Sequence, residues 1–367
     1  LLSAAATVLL TAVSVVFARP VLELLQTPPE ILDAAHSYII IIFWGIGAAM
    51  LFNLLSNVIR ALGDSRTPLY FLVLACVLNI ALDLALILRF GMGPAGAAVA
   101  TVVSQLVSGL LCTIYVFRKF PMLRLTRADW NMSRRYLWAH IRLALPMGFQ
   151  ASIIAIGAIL VQFALNRLGA QAVAAFSAAQ KIDMVATLPM MSFGIAMATY
   201  VAQNYGARNP LRIRQGVLQC SLMSVGFSIA VAVVNIIWGP ELIRLFVGTG
   251  EREVVRLAQI YLNINASMYW VLALLFVFRY TLQGLGQSVV PTFAGVMELA
   301  MRAFAAIILA RYLGFAGASM ASPAAWIGSC VPLAIAYFFT RKRLAQSTKQ
   351  PFPPCSGEER ESIRQAA

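Results

Sequence analysis

Charged side chains are scarce in this chain. Only 11% of its 367 residues are Asp, Glu, Lys or Arg, whereas 60% are hydrophobic. A soluble domain carries about 25% charged residues and needs far fewer apolar ones. The long apolar runs do not alternate with polar residues as the strands of a membrane barrel would. We therefore predict an all-α, polytopic membrane protein, with room for about ten spans of ~20 residues each.

Histidine and cysteine are also scarce. The two histidines, His36 and His140, are too few for a His-based metal site. The five cysteines show no pairing pattern and four lie within apolar runs, so they are interpreted as small packing residues rather than a disulfide framework. No P-loop sequence and no Ser–His–Asp or Cys–His constellation occurs. The sequence therefore predicts neither an ATPase nor covalent enzyme chemistry, and no cofactor.

Ten apolar segments can be marked along the chain. Their approximate limits are 1–18, 37–59, 68–90, 95–117, 143–166, 172–203, 215–238, 258–284, 291–311 and 316–340.

The net charge of +14 comes from connections rather than from a patch that would bind nucleic acid. Basic residues concentrate in alternate loops, at 60–67, 118–142 and 204–214, and after the last segment in Arg341-Lys-Arg343. If every segment crosses the membrane, all of these lie on one side. The positive-inside rule predicts that this side, with the C-terminus, is cytoplasmic. The predicted partner is thus the lipid bilayer, with no nucleic acid.

An internal repeat organises the chain. Three matches keep nearly the same offset: Arg60-Ala-Leu-Gly-Asp-Ser-Arg-Thr-Pro68 with Gln283-Gly-Leu-Gly-Gln-Ser-Val-Val-Pro291, Gly93-Pro-Ala-Gly-Ala with Gly314-Phe-Ala-Gly-Ala, and Pro20-Val-Leu-Glu-Leu-Leu with Pro240-Glu-Leu-Ile-Arg-Leu. Because all three include loop residues and stay nearly in register, they indicate two related halves.

The repeat predicts an N-terminal half at 1–122 with four helices, a basic cytoplasmic linker at 123–142, a C-terminal half at 143–340 with six helices, and a disordered cytoplasmic tail at 341–367. At an offset of 220, residues 137–219 map to positions −83 to −1, so a complete first half would need about 83 more residues. The expected architecture is two pseudo-symmetric six-helix halves. Transporters built from parallel repeats bind substrate between the halves and alternate between two openings.

The first half carries a carboxylate inside an apolar run. Asn79 and Asp83 are spaced i,i+4, which places them on one helix face. Thr101 lies nine residues after Met92 and Asp83 nine before it. In a helical hairpin both would lie roughly 13 Å from the turn, near the middle of a ~30 Å hydrocarbon layer. Because acids within the membrane are usually functional, we predict a cation- or proton-binding site formed by Asp83, Asn79 and Thr101.

These residues resemble a known family. The R-A-L-G-D-S-R-T-P loop, the N-x-x-x-D of Asn79 and Asp83, and the G-x-A-G-A-A-x-A-T that ends at Thr101 are similar to the multidrug and toxic compound extrusion (MATE) family. Leu145-Pro-Met, Ala-Gln-Lys-Ile-Asp183 and Val201-Ala-Gln-Asn-Tyr-Gly-Ala-Arg-Asn resemble its DinF-like bacterial branch. The resemblance covers about 1–343 and lacks the family's first two helices, one of which carries an aspartate of the same site.

The resemblance implies a secondary exporter in the bacterial inner membrane, and we expect a monomer. It would expel organic, often cationic, compounds in exchange for Na⁺ or H⁺, by alternating access. Asn79, Asp83 and Thr101 match the family's cation or proton site, and no other metal is implied.

Four polar residues of the second half, Gln150, Gln162, Glu298 and Arg302, are predicted to line a substrate cavity. For Glu298 and Arg302, spaced i,i+4, two interpretations remain open: a neutralising pair inside the bundle, or contact with substrate. Arg279 is expected to extend its side chain to the cytoplasmic interface. Asp183 is expected either near the outer interface or within a gate.

Two alternatives to the exporter remain. A lipid-linked saccharide flippase of the same superfamily would place Arg279 and Arg302 in its cavity to hold pyrophosphate. An inactive fragment would lack part of the site.

Overall fold

The computed structural model describes residues 2–24, 28–123, 134–248 and 251–347, and within these ranges it contains helices but no β-strand. The helices are α1 (Leu2–Leu24), α2 (Pro29–Trp44), α3 (Ile46–Ala61), α4 (Arg66–Leu84), α5 (Gly93–Lys119), α6 (Arg134–Asn166), α7 (Ala170–Gly206), α8 (Pro210–Val247), α9 (Arg252–Ala266), α10 (Tyr269–Gly284), α11 (Val289–Phe304), α12 (Ala310–Ser319) and α13 (Ala321–Ser347).

The prediction of about ten membrane spans is confirmed. Within the described ranges, eight helical segments are long and apolar enough to cross a membrane, and two bent pairs of helices bring the number to as many as ten. The bent pairs are α2 with α3, at 43°, and α9 with α10, at 49°. The all-α, polytopic fold class is therefore correct.

The chain divides into two compact units, unit 1 before residue 138 and unit 2 from Trp138 onward. The predicted boundaries need two adjustments where the structure describes them. The second part of the predicted linker is helical, since α6 begins at Arg134. The predicted tail begins too early, because α13 continues to Ser347. Residues 124–133 and 348–367, the rest of the predicted linker and tail, lie outside the described residues.

In unit 1, α5 packs against α2, α3 and α4. Its buried face is made of small residues, among them Ala98, Ala100, Ser104 and Ser108, which allow neighbouring helix backbones to approach closely. Helix α4 has few buried residues, and its large apolar side chains, such as Leu72, Val73 and Val77, are mostly exposed. A helix with so apolar an outer surface is suited to contact lipid.

In unit 2, α10 is the most deeply enclosed helix. It packs against α7, α8 and α13, and Tyr269, Leu275 and Leu282 on it are almost wholly buried. These side chains belong to one of two large apolar clusters of this unit. Any hydrogen-bond partner of a buried polar side chain on α10 must therefore be another group of the protein.

The backbone repeats its special features in register with the sequence repeat. A π-helix at Ala85–Arg89 follows α4, and another at Ala305–Leu309 follows α11. Positive φ angles occur at Gly63 (93°) and Gly286 (76°), which are aligned in the first match, and at Gly93 (56°) and Gly314 (57°), which are aligned in the second. Glycine adopts such angles without a steric penalty. The turns at Gly63 and Gly286, the start of α5 at Gly93 and the kink within α12 at Gly314 therefore favour glycine. The two units share one backbone design.

Each unit ties its repeated loop to its last long helix. In unit 1, Asp64 accepts hydrogen bonds from the Thr67 hydroxyl at 2.8 Å and the Tyr115 hydroxyl at 2.5 Å, and pairs with Lys119 at 3.4 Å. In unit 2 the equivalent residue is Gln287, which donates to Thr340 of α13 at 3.2 Å. The loops are thus anchored at the same place by different chemistry.

The hydrogen bond from Tyr115, followed by those from Thr67 and the Lys119 ammonium, holds the pKa of Asp64 well below its ordinary value of 3.8. A carboxyl whose folded-state pKa is lowered stabilises the fold fully above its unfolded-state pKa. That stabilisation is lost as the pH falls towards the folded-state value.

We expect Asp64→Asn to lower the free energy of unfolding in detergent by about 1 to 3 kcal/mol at pH 7, because hydrogen bonds to a charged acceptor are lost. Tyr115→Phe should lower the free energy of unfolding by part of this amount, because it removes one of those hydrogen bonds. Tyr70→Phe, at an exposed position of α4, serves as the control. In thermal unfolding scans, the gap between wild type and Asp64→Asn should stay constant above about pH 5 and narrow below pH 4. A gap that widened in acid would contradict this account.

Candidate functional site: polar groups within the spans

The structure brings two of the three predicted ion-site residues into contact. The Asn79 amide of α4 lies 3.5 Å from the Thr101 hydroxyl of α5, at the long end for a hydrogen bond. Thr101 itself donates to the Ala97 carbonyl at 2.9 Å. This contact exists because α4 and α5 form a hairpin about the turn at 91–92, as the spacing predicts.

Asp83 lies one helical turn after Asn79, as the next-to-last residue of α4. The side chain is only partly buried, but its Oδ1 atom is enclosed and forms no hydrogen bond within the described part of the chain. A buried polar atom without a partner is costly, and native structures contain few of them. The π-helix that begins two residues later adds to this, since such turns occur frequently at functional sites.

The second unit holds a buried ion cluster. Glu298 accepts from Arg279 at 2.8 Å and from Arg302 at 3.1 Å, and Arg279 also donates to Ser329 at 2.9 Å. The side chains of Arg279, Glu298 and Arg302 are only 8%, 6% and 13% exposed. Of the two interpretations of Glu298 and Arg302, the structure shows the ion pair, with a second arginine added.

The expectation for Arg279 was wrong. The side chain does not extend to the interface; it is buried and turned towards Glu298 on the neighbouring helix α11. The reason is that Glu298 supplies a partner at a depth where an arginine could otherwise be held only by extending to the headgroups. Sequence spacing within one helix could not reveal a partner on the next helix.

Room for Arg302 is made by a glycine. A Cβ atom added to Gly157 of α6 would lie 2.9 Å from Cδ of Arg302, too close for two carbon atoms in contact. Arg302 therefore lies against α6, beside a backbone without a side chain. In the repeat Arg302 is equivalent to Asn79, and Ala306 to Asp83, so the same helix positions carry different chemistry in the two units.

The two predicted glutamines of α6 lie in different surroundings. Gln150 is buried and accepts a hydrogen bond from Gln283 of α10 at 3.3 Å, while its own Nε2 atom has no partner within the described chain. Gln162 is exposed and donates to Asn166 of the same helix at 2.9 Å. The structure does not bring Gln162 to Gln150, which lies more than three helical turns away. That the four residues line one cavity stays a prediction.

The hydrogen-bond partners of Asp183 were not predicted. Asp183 is buried on α7 and accepts a hydrogen bond from the Tyr269 hydroxyl at 2.6 Å, which in turn accepts from Asn235 of α8 at 3.1 Å. Lys181, two residues before Asp183, is exposed and lies over the ring of Phe246. Asp183 is therefore enclosed among the helices of unit 2, and its place in a gate or near the outer interface stays a prediction. Asn235, an amide within an apolar run, was the available signal in the sequence.

Comparison with known proteins identifies the family. The MatE family model matches residues 1–85 and 146–308, well over half of the chain. The chain belongs to the MATE family.

Similar MATE proteins are longer than this chain. The probable multidrug resistance protein YpnP of Bacillus subtilis is 32% identical over 290 residues, which are 76% of this chain and 63% of YpnP. The probable multidrug resistance protein YoeA of the same organism is 26% identical, over 92% of this chain and 74% of YoeA. A multidrug resistance MATE family transporter solved in an outward-facing conformation has a TM-score of 0.86 at 22% identity, covering 94% of this chain and 77% of that one. The resemblance to this family is confirmed, and the chain is a transporter-family protein rather than an enzyme.

We expect Glu298→Gln to destabilise this MATE chain by about 3 to 5 kcal/mol, because two buried guanidinium groups lose their shared carboxylate. Glu241→Gln is the matched control, since the side chain of Glu241 is 60% exposed in its pair with Arg244. Thermal unfolding in detergent measures both. The double variant Glu298→Gln/Arg302→Gln should be more stable than the sum of the two single losses predicts. Strict additivity would show that the three groups do not act as one cluster.

Proposed function

We propose that this MATE chain is a secondary exporter that moves small organic compounds out of the cell in exchange for a monovalent cation, Na⁺ or H⁺, bound at Asp83. The observation that carries the proposal is the enclosed, unpartnered Oδ1 atom of Asp83 beside the contact between Asn79 and Thr101. The matched relatives named as multidrug resistance proteins support export as the activity. Since the chain spans 63% of YpnP, the activity of the whole protein is part of the proposal.

The chemistry of the three side chains suits a monovalent ion. One carboxylate balances one positive charge, and an amide oxygen and a hydroxyl oxygen are neutral ligands of the kind hard cations prefer. A proton needs only the carboxylate. A bound Na⁺ balances the charge of the Asp83 carboxylate, and a proton removes it. In both cases the net charge of the site within the membrane changes, which alters the cost of keeping the site there. This change of cost is how ion binding would favour one conformation over another.

Organic cations are the substrates we propose to test first, as the family resemblance implies. We place the protein in a bacterial inner membrane, as a monomer with its C-terminus in the cytoplasm. The basic residues support this orientation, because Arg208, Arg212 and Arg214 lie at the same end of unit 2 as Arg341 and Arg343. A cytoplasmic position for that end agrees with the positive-inside rule.

The flippase alternative required Arg279 and Arg302 to project into a cavity. Both are instead paired with Glu298 and largely buried. No observation therefore favours it over the exporter.

We expect Asp83→Asn to abolish ion-driven efflux of a fluorescent organic cation from everted membrane vesicles that contain the full chain. The amide cannot take up a proton and carries no charge for Na⁺. Asp33→Asn, the same change at an exposed residue of α2, is the control and should transport normally. Immunoblots should show equal amounts of all three proteins in the membrane. Undiminished efflux by the Asp83 variant, or no ion-driven efflux by the wild type, would refute the proposal.

A second pair of substitutions identifies the ion. Asn79→Leu with Thr101→Val removes both neutral ligands and keeps the carboxylate. Efflux driven by a Na⁺ gradient at constant pH should be lost in this variant if the ion is Na⁺. Efflux driven by a pH gradient without Na⁺ should persist if the ion is H⁺.

A further inference from the structure

A cavity lies at one end of unit 2, apart from the polar groups within the spans. Its volume is about 560 Å³, within the range of ligand pockets. It is formed where α7 ends and α8 begins, next to the loop between α10 and α11 and the last turns of α13. A smaller cavity of about 140 Å³ adjoins it and shares Pro210, Ile213 and Leu344 of its lining. Together they are called the basic-end cavity.

Four arginines surround this cavity, and no acidic residue is among the described residues that line it. Arg208 and Arg343 line the larger part, and Arg214 and Arg341 the smaller part. Within the described residues, Arg214, Arg341 and Arg343 form no salt bridge. Guanidinium groups bind phosphate oxygens through pairs of parallel hydrogen bonds. Because Arg214, Arg341 and Arg343 have no acidic partner in the described chain, they favour an anionic ligand.

The backbone at Arg208 is unusual. Its φ angle of +55° is the only positive value at a non-glycine residue in the described chain. Such a conformation costs energy at a residue with a long side chain, and it persists only when the surrounding structure requires it. Arg208 lies in the turn between α7 and α8, at a position whose φ angle would suit a glycine better, and it lines the cavity.

The rest of the lining is partly polar and partly apolar. Asn209, Gln287 and Thr340 supply amide and hydroxyl groups, which can bond the glycerol or ester oxygens of a headgroup. Tyr205 and Leu211, which also line the two parts, are 53% and 67% exposed. The mouth thus lies next to an exposed apolar surface at the end of the membrane-spanning helices. A soluble phosphate would make no use of that surface, whereas an acyl chain would cover it.

We propose that the basic-end cavity binds the phosphate headgroup of an anionic phospholipid, with the acyl chains against the exposed apolar residues at its mouth. Basic pockets between membrane helices bind such headgroups in other proteins. A lipid held there links α7, α8 and α13 at their ends. The site is independent of the ion site at Asp83, and binding does not require transport.

The test uses the full chain in a neutral detergent, with thermal unfolding as the readout. Short-chain phosphatidylglycerol should raise the Tm of the wild type by several degrees, and short-chain phosphatidylcholine should not. Glycerol 3-phosphate at the same concentration distinguishes a lipid from a free phosphate, and it should have little effect. Native mass spectrometry should show one phosphatidylglycerol retained per protein.

The decisive variant is Arg341→Gln/Arg343→Gln, which should lose the shift while keeping the Tm without lipid. Its matched control is Lys342→Gln/Arg244→Gln, which removes the same charge. Lys342 lies between two of the cavity arginines in sequence but does not line the cavity, and Arg244 is an exposed residue near the other end of α8. The control should keep the full shift. Equal loss in both variants, or an equal shift from glycerol 3-phosphate, would overturn the proposal.

Discussion

Hydrocarbon offers no hydrogen bonds, and this constraint decides where the polar groups of the chain can lie. Glu298 holds two guanidinium groups that could not otherwise remain inside unit 2. Asp183 is held by a tyrosine hydroxyl that is itself held by an amide. In each case a partner comes from another helix, so the polar contacts also fix how those helices pack. Asp83 differs from these two acids, because its enclosed oxygen has no such partner in the described chain.

This difference separates polar residues that hold the helices together from a polar residue that is available to bind an ion. The carboxylate of Glu298 has little reason to exchange ligands, since each of its oxygens already accepts from a guanidinium group and removing it would leave two buried charges unpaired. The Nε atoms of Arg279 and Arg302 have no partner in the described chain. An unsatisfied carboxylate gains from any cation that reaches it. Equivalent helix positions thus differ between the two units. Arg302 shares the carboxylate of Glu298 with Arg279. Its counterpart Asn79 contacts Thr101 and lies one turn before Asp83, an acid with no salt bridge in the described chain.

The sequence predicted most of the fold. Hydrophobic runs gave the spans, and loop glycines such as Gly63 and Gly286 marked the repeat, because positive φ angles leave a clear trace in residue type. The hairpin of α4 and α5 was predictable because its two arms are adjacent in sequence. The bond between Arg279 and Glu298 was not, since the direction of a buried side chain depends on the rotation of two helices about their axes. The contact of Tyr269 with Asp183 joins two helices far apart in the chain, and nothing in their local sequences indicates it.

The π-helices after α4 and α11 have a historical meaning. Each adds one widened turn directly after the corresponding helix of its unit. Asp83 lies two residues before the first, whereas Ala306, its counterpart in the sequence repeat, lies within the second. Because both halves carry this feature of the backbone, we infer that it preceded the duplication from which they arose. The acid, which only one half carries, marks divergence after that event. On this inference the two halves share the widened turn by descent, whereas the polar residues near it arose in each half separately.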